Sequence, residues 1–106
     1  MNFEENYPVL KSADLVKLTE EFGSPLYVYH AETIKRQYER ITNAFSNVSL
    51  KIKYACKALT NVQVLKYVHS LGAGLDAVSI EEAIIGIKAG FTPKEILFTP
   101  NGVAFD

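Results

Sequence analysis

The spacing of apolar residues changes period several times along the chain. Leu15, Leu18 and Phe22 recur at helical spacing, with Ser12 placed to cap the first turn and Gly23 to stop the last. Residues 25–29, PLYVY, are dense in aromatic and β-branched side chains and predict a short strand. Ile34, Tyr38, Ile41 and Phe45 then return to helical spacing over residues 31–45. Lys35, Arg36, Glu39 and Arg40 fill the rest of that segment and read as a solvated face with weak i,i+4 pairs.

A regular rhythm follows. Over residues 50–58, Ile52, Tyr54 and Cys56 alternate with Lys51, Lys53 and Ala55, which predicts a strand with Lys57 near its end. Asn61 can cap a helix carrying Val62, Leu65, Val68 and Leu71, stopped at Gly72. Residues 75–79, LDAVS, predict a second strand. Ser79 and Glu82 have capping-box spacing for a helix with Ala83, Ile84 and Ile87 on its apolar side and Gly90 as its stop. Thr92 to Glu95 form one more capped turn, residues 96–99, ILFT, a third strand, and residues 100–106 a loop.

Residues 50–99 therefore read β-α-β-α-β with short connections. Strands joined through helices lie parallel, with right-handed crossovers. All three strands then end on one edge of the sheet, near Lys57, Ser79 and residues 100–101. In parallel α/β folds that edge carries the chemistry, whether the sheet is open or closed into a barrel.

Composition narrows the function. A chain of 106 residues suits one small domain, and 48% hydrophobic with 22% charged residues is globular composition. A net charge of −1 leaves no basic excess for phosphates, so nucleic acid is not the expected partner. No apolar run approaches the roughly 20 residues a membrane helix needs. The acidic N-terminus lacks the apolar segment of a secretory signal. Cys56 is the only cysteine, which permits no intrachain disulfide and suits a reducing cytoplasm. His30 and His69 lack ligand spacing, so no metal is expected.

Residues 72–77, GAGLDA, fit the letters of the dinucleotide-binding G-x-G-x-x-G/A fingerprint. That motif works after a strand and before a helix, because the pyrophosphate sits on the helix N-terminus. Here a helix pattern precedes and a strand pattern follows. Gly72 reads as a left-handed helix stop and Gly74 as the entry to the strand.

Lys57 has two readings. A lysine at a strand end is commonly a solvated charge, and Lys51 and Lys53 are read that way. Lys57, however, lies among the small residues Ala55, Cys56 and Ala58, where another group could approach closely. A strand-end lysine shielded by apolar walls loses solvation of its charged form, which favours the neutral, nucleophilic amine. That is the property needed to bind an aldehyde.

The segments YACKALTN, GAGLDAVSIEEA and ILFTPNG, preceded by FGSPLYVYHAETIKRQY, together resemble the N-terminal part of the alanine-racemase-like, fold-type III pyridoxal-phosphate decarboxylases. The likeness runs from about Phe22 to the end. Within that family it is greatest for members acting on meso-diaminopimelate. The family's Tyr-Ala-x-Lys-Ala-Asn is met by Tyr54, Ala55, Lys57 and Ala58, while Leu59 stands in place of the asparagine.

The resemblance implies a specific site. Lys57 would hold pyridoxal 5'-phosphate by a Schiff base and assist proton transfer. Ala55 would lie beneath the cofactor, and Asp76 close to cofactor and lysine. Without the resemblance Asp76 reads equally as a solvent-facing strand residue. Glu82 matches an acidic position near the site in relatives, but its capping role explains it equally. Asn101 and Gly102 could line the site or simply make a turn.

The implied architecture is α/β: the first three βα units of a parallel (β/α)8 barrel, preceded by a helix and a strand joining a separate β domain. Residues 1–30 would pack with that domain, and residues 31–106 would begin the cofactor-binding barrel. The implied enzyme is a cytoplasmic homodimer that takes a small amino-acid substrate and makes lysine and carbon dioxide. Sister enzymes acting on ornithine, arginine or carboxynorspermidine share the scaffold, and a non-catalytic α/β interaction module is the alternative from another class. A barrel of this type has eight units and about 250 residues, and this chain supplies three strands. We expect the 106-residue chain alone to show no decarboxylase turnover. Carbon dioxide release from meso-diaminopimelate, measured on the purified chain, checks this.

Overall fold

A computed structural model of the chain describes residues 11–100, so Asn101 and Gly102 lie outside the described residues. The chain forms two compact units, Met1–Ile34 and Lys35–Asp106.

In the first unit, helix α1 spans Ser12–Phe22. Its cap is Lys11, not Ser12: Lys11 keeps extended backbone angles, and its carbonyl accepts the amides of Asp14 and Leu15 at 3.1 and 3.2 Å. Ser12 already belongs to the helix. Gly23 ends it at φ +86°, donating its amide to the Thr19 carbonyl at 2.8 Å. The expected strand at residues 25–29 is absent. A strand exists through its ladder partner, and none of the described residues pairs with this segment, in which Tyr27 is 86% exposed. His30 opens the next helix, α2, Ala31–Ala44, by accepting the Thr33 amide on Nδ1 at 3.2 Å.

The second unit takes up α2 from Lys35, which pairs with Glu39 at 3.9 Å across one exposed turn. Such a pair is worth a few tenths of a kcal/mol. The unit is built on a parallel sheet in the order β1 (Lys53–Ala55), β2 (Gly74–Ala77), β3 (Ile96–Phe98). Ala55 is in register with Asp76, and Asp76 with Leu97. β1 is shorter than its alternation predicts, because residues Cys56–Ala58 wind into a 3-10 turn closed by the Leu59 amide on the Cys56 carbonyl at 3.0 Å.

Two helices make the crossovers. α3, Val62–Ser70, starts where the side chain of Asn61 accepts the amides of Gln63 and Val64 at 2.9 and 3.2 Å. It ends with Gly72 at φ +106°. Strand β2 then begins at Gly74, so GAGLDA is a helix stop followed by a strand, the reverse of the dinucleotide order. α4, Ile80–Ala89, is capped by the Ser79 hydroxyl, which accepts the Glu82 amide at 3.2 Å, and stopped by Gly90 at φ +113°. Only half of the expected capping box forms. The Glu82 carboxylate accepts the amide of Val78, at 2.7 Å, one residue before the cap.

The core comprises Cys56, Leu65, Leu75, Ala89 and Phe91, with Tyr54, Ile85 and Ile96 packed against it. α4 turns a different face inward from the one its isoleucines predict. Ile84 and Ile87 stay 48% and 54% exposed, while Gly86 and Ala89 are buried. The reason is closeness. Leu75 lies so near the Gly86 backbone that a Cβ there would collide with its Cδ2. A helix pressed this tightly onto a sheet turns its smallest residues toward it. Gly74 is constrained in the same way, since a Cβ there would sit 2.7 Å from the Glu95 carbonyl oxygen.

At the amino edge of the sheet, His69 on α3 meets the turn that precedes β3. Its Nε2 lies 3.2 Å from the Glu95 carboxylate, and its ring centroid 4.6 Å from that of Phe91. Glu95 also accepts the Thr92 amide at 2.7 Å, and this hydrogen bond chiefly lowers its pKa below the usual carboxylate value.

The Asn61 cap gives a direct test of the α3 boundary. Asn61→Ala removes the acceptor for two helix-end amides and should cost about 1 kcal/mol of stability, whereas Asn61→Asp should retain most of it. Urea unfolding followed by circular dichroism measures the difference.

Candidate active site

The two faces of the sheet differ. Tyr54, Leu75 and Ile96 point into the helix-covered core. Successive strand residues point to opposite faces, so Ala55, Asp76 and Leu97, aligned by register, line the other face. Among the described residues no helix packs over it, and Leu97 is about half exposed.

Lys57 stands at the carboxyl edge, as its sequence position predicts, but on the 3-10 turn after β1 rather than on the strand itself. The turn is tied down from below. The Tyr54 hydroxyl donates to the Leu59 carbonyl at 3.1 Å, spanning the residues that carry the lysine. The Lys57 side chain is exposed, not shielded by apolar walls, and makes no hydrogen bond or ion pair among the described residues. Ala55 and Ala58 on either side leave the space around it open.

Asp76 is half-buried within β2, not at a strand start. Its Oδ1 accepts the Thr99 hydroxyl at 2.6 Å. Thr99 is held in turn by its own amide, which donates to the Ala77 carbonyl at 2.9 Å. In the sequence Thr99 reads only as the last residue of a strand. The two partners are 23 residues apart, and only the register of β2 with β3 brings them together.

Cys56 and Glu82 form a second group under the same edge. Cys56 is wholly buried. Burial pushes its thiol up to about 11, and the Glu82 charge, the thiol's hydrogen bond to Glu82 and the Asp76 charge add to the shift. Glu82 is thus oriented by the Val78 amide and faces the cysteine next to Lys57. Ala55, Lys57 and Asp76, the residues singled out in the sequence, share this edge, with Thr99 joining them and Cys56 and Glu82 beneath.

Residues 31–103 match the family described as pyridoxal-dependent decarboxylase, pyridoxal binding domain. The chain belongs to that family. Diaminopimelate decarboxylase of Methanothermobacter thermautotrophicus is 39% identical over 97% of this chain and 24% of its own length. The Aquifex aeolicus diaminopimelate decarboxylase is 34% identical over 96% of this chain and 24% of its length. Among solved structures, diaminopimelate decarboxylase from M. jannaschii superposes with a TM-score of 0.76 at 34% identity, covering 80% of this chain and 21% of that one. Lysine/ornithine decarboxylase from Vibrio vulnificus, complexed with putrescine, gives 0.75 at 27% identity over 87% and 26%. The chain therefore spans about a quarter of the length of the curated relatives it matches, and its parallel sheet corresponds to part of the barrel of the decarboxylases it resembles.

The cysteine offers a check on the geometry of the edge. An ordinary thiol near 9 and one at about 11 differ roughly 100-fold in thiolate fraction at neutral pH. Iodoacetamide at pH 8 should alkylate Cys56 at least about 100-fold more slowly in the native chain than in urea. Mass-spectrometric time courses read this ratio.

Proposed function

We propose that this chain is the aldehyde-holding part of a pyridoxal 5'-phosphate-dependent amino-acid decarboxylase that acts on meso-diaminopimelate and yields lysine and carbon dioxide. The observation that carries the reading is Lys57: an exposed amine without a polar partner among the described residues, on a braced turn at the carboxyl edge of a parallel sheet, inside a matched pyridoxal-binding domain.

The residues present suit the aldehyde end of the cofactor. Lys57 supplies the nitrogen, Ala55 adds no bulk to the open face beside it, and Asp76 brings a carboxylate to that face. When bound, the cofactor supplies an electron-accepting ring that stabilises the electron pair left as carbon dioxide departs. With the cofactor bound, Lys57 Nζ would be the group that carries and returns a proton. Asp76 balances positive charge at that nitrogen, and the Tyr54–Leu59 bond keeps the turn from drifting.

The diaminopimelate substrate is supported by identity: 39% and 34% to enzymes of that name, against 27% to the lysine/ornithine enzyme. We further propose that the whole enzyme is a cytoplasmic homodimer, with the remaining cofactor and substrate contacts outside these residues.

Reductive labelling tests the aldehyde-holding role. The Lys57 nitrogen adds to the aldehyde of pyridoxal phosphate, water leaves, and borohydride hydride fixes the new carbon–nitrogen bond. Peptide mapping should place the phosphopyridoxyl group chiefly on Lys57, and Lys57→Ala should abolish that peptide's label. Label scattered evenly over the surface lysines would instead support a non-catalytic module.

A further inference from the structure

We infer that Thr99 is a positioning residue for Asp76, and through it for the nitrogen of Lys57. The inference rests on the aldehyde-holding role of Lys57 proposed above.

The argument starts from the contact between Thr99 Oγ1 and Asp76 Oδ1 at 2.6 Å. That length is typical of a hydroxyl donating to an ionised carboxylate, a stronger bond than one between neutral groups. A threonine side chain has few χ1 choices, because two heavy atoms branch from its Cβ. Its backbone is fixed as well, by the Thr99 amide on the Ala77 carbonyl at 2.9 Å. Backbone and side chain of one residue thus grip consecutive residues of β2, one through a carbonyl and one through a carboxylate.

The effect falls on the carboxylate's torsion. A lone aspartate on an open sheet face rotates about its Cβ–Cγ bond and spreads its charge over many directions. With Oδ1 committed to Thr99, the carboxylate plane is set and Oδ2 keeps one direction. Asp76 is in register with Ala55, two residues before Lys57 in the chain. A fixed carboxylate at that position stabilises positive charge on a nitrogen bound to the aldehyde more than a rotating one does, because the ordering has already occurred. Thr99 touches neither cofactor nor substrate in this scheme; it acts through Asp76.

The test uses the 106-residue chain and pyridoxal phosphate as the probe. The equilibrium constant for the coloured adduct at Lys57 is measured by titration and checked by peptide mapping. Variants are Thr99→Val, Thr99→Ala, Thr99→Ser, Asp76→Asn, and Asp76→Asn combined with Thr99→Val. Thr99→Val and Thr99→Ala should each weaken the adduct about three- to tenfold, less than the full effect of a hydrogen bond to a charged group because Thr99 acts only through Asp76. Thr99→Ser keeps the hydroxyl and should bind within about twofold of the parent. Asp76→Asn should weaken the adduct at least as much as Thr99→Val, and the double variant should be no weaker than Asp76→Asn alone, because Thr99 has nothing left to orient.

Circular dichroism melts identify any variant that fails to fold, and the second truncation then serves in its place. Parent-like binding by Thr99→Val or Thr99→Ala overturns the inference while leaving Lys57 as the aldehyde holder. So does a Thr99 effect that persists undiminished in the Asp76→Asn background, since that is a merely structural role. Absence of selective adduct at Lys57 in the parent chain overturns both readings together.

Discussion

Leu75 against the bare backbone of Gly86 is the contact on which the second unit depends. Leu75 is fully buried at the centre of the middle strand, and a glycine on α4 lets the helix come down onto it. Apolar burial of a leucine is worth about 1.5–3 kcal/mol, but its structural effect is larger than its energy. It decides which face of the sheet the helices cover. Once Leu75 points at α4, alternation sends Asp76 to the opposite face, and the parallel register carries Ala55 and Leu97 with it. The open face with its carboxylate is thus the complement of a packing decision made one residue away.

The same contact explains why some of the fold was legible and some was not. Local chemistry announced itself: Asn61 as a cap, Gly72 and Gly90 as left-handed stops, and the helix-then-strand order that disqualified GAGLDA. The carboxyl-edge position of Lys57 followed from element order alone. What a single segment cannot reveal is the distance to its neighbour. Ile84 and Ile87 looked like the inner face of α4 because they are large and apolar, yet helix–sheet closeness selected Gly86 and Ala89. Residues 25–29 have strand composition, but a ladder needs a second strand and none of the described residues provides it.

The site shows the same division. The placement of Lys57, Ala55 and Asp76 at one edge of the sheet was legible from element order and motif. The contacts organising them were not. Thr99 reaches Asp76 and Glu82 takes the Val78 amide through side-chain geometry that no spacing rule encodes. Cys56 looked like one more inward strand residue. Its burial, with the Glu82 charge beside it, is what raises its pKa. Residue types proposed for the chemistry were thus easier to recognise than the side chains that contact them.

The hydrogen bond from Tyr54 to residue 59 has its own consequence for how this edge can evolve. The acceptor is a main-chain oxygen, which every amino acid carries in the same place. Exchanging the side chain at residue 59 therefore leaves the strap across the lysine turn intact. Selection at residue 59 is relieved of the task of holding the turn, and the side chain there is free to answer to whatever it meets on its outer side. Tyr54 has no such latitude, because only a residue with its reach and its hydroxyl can tie the knot.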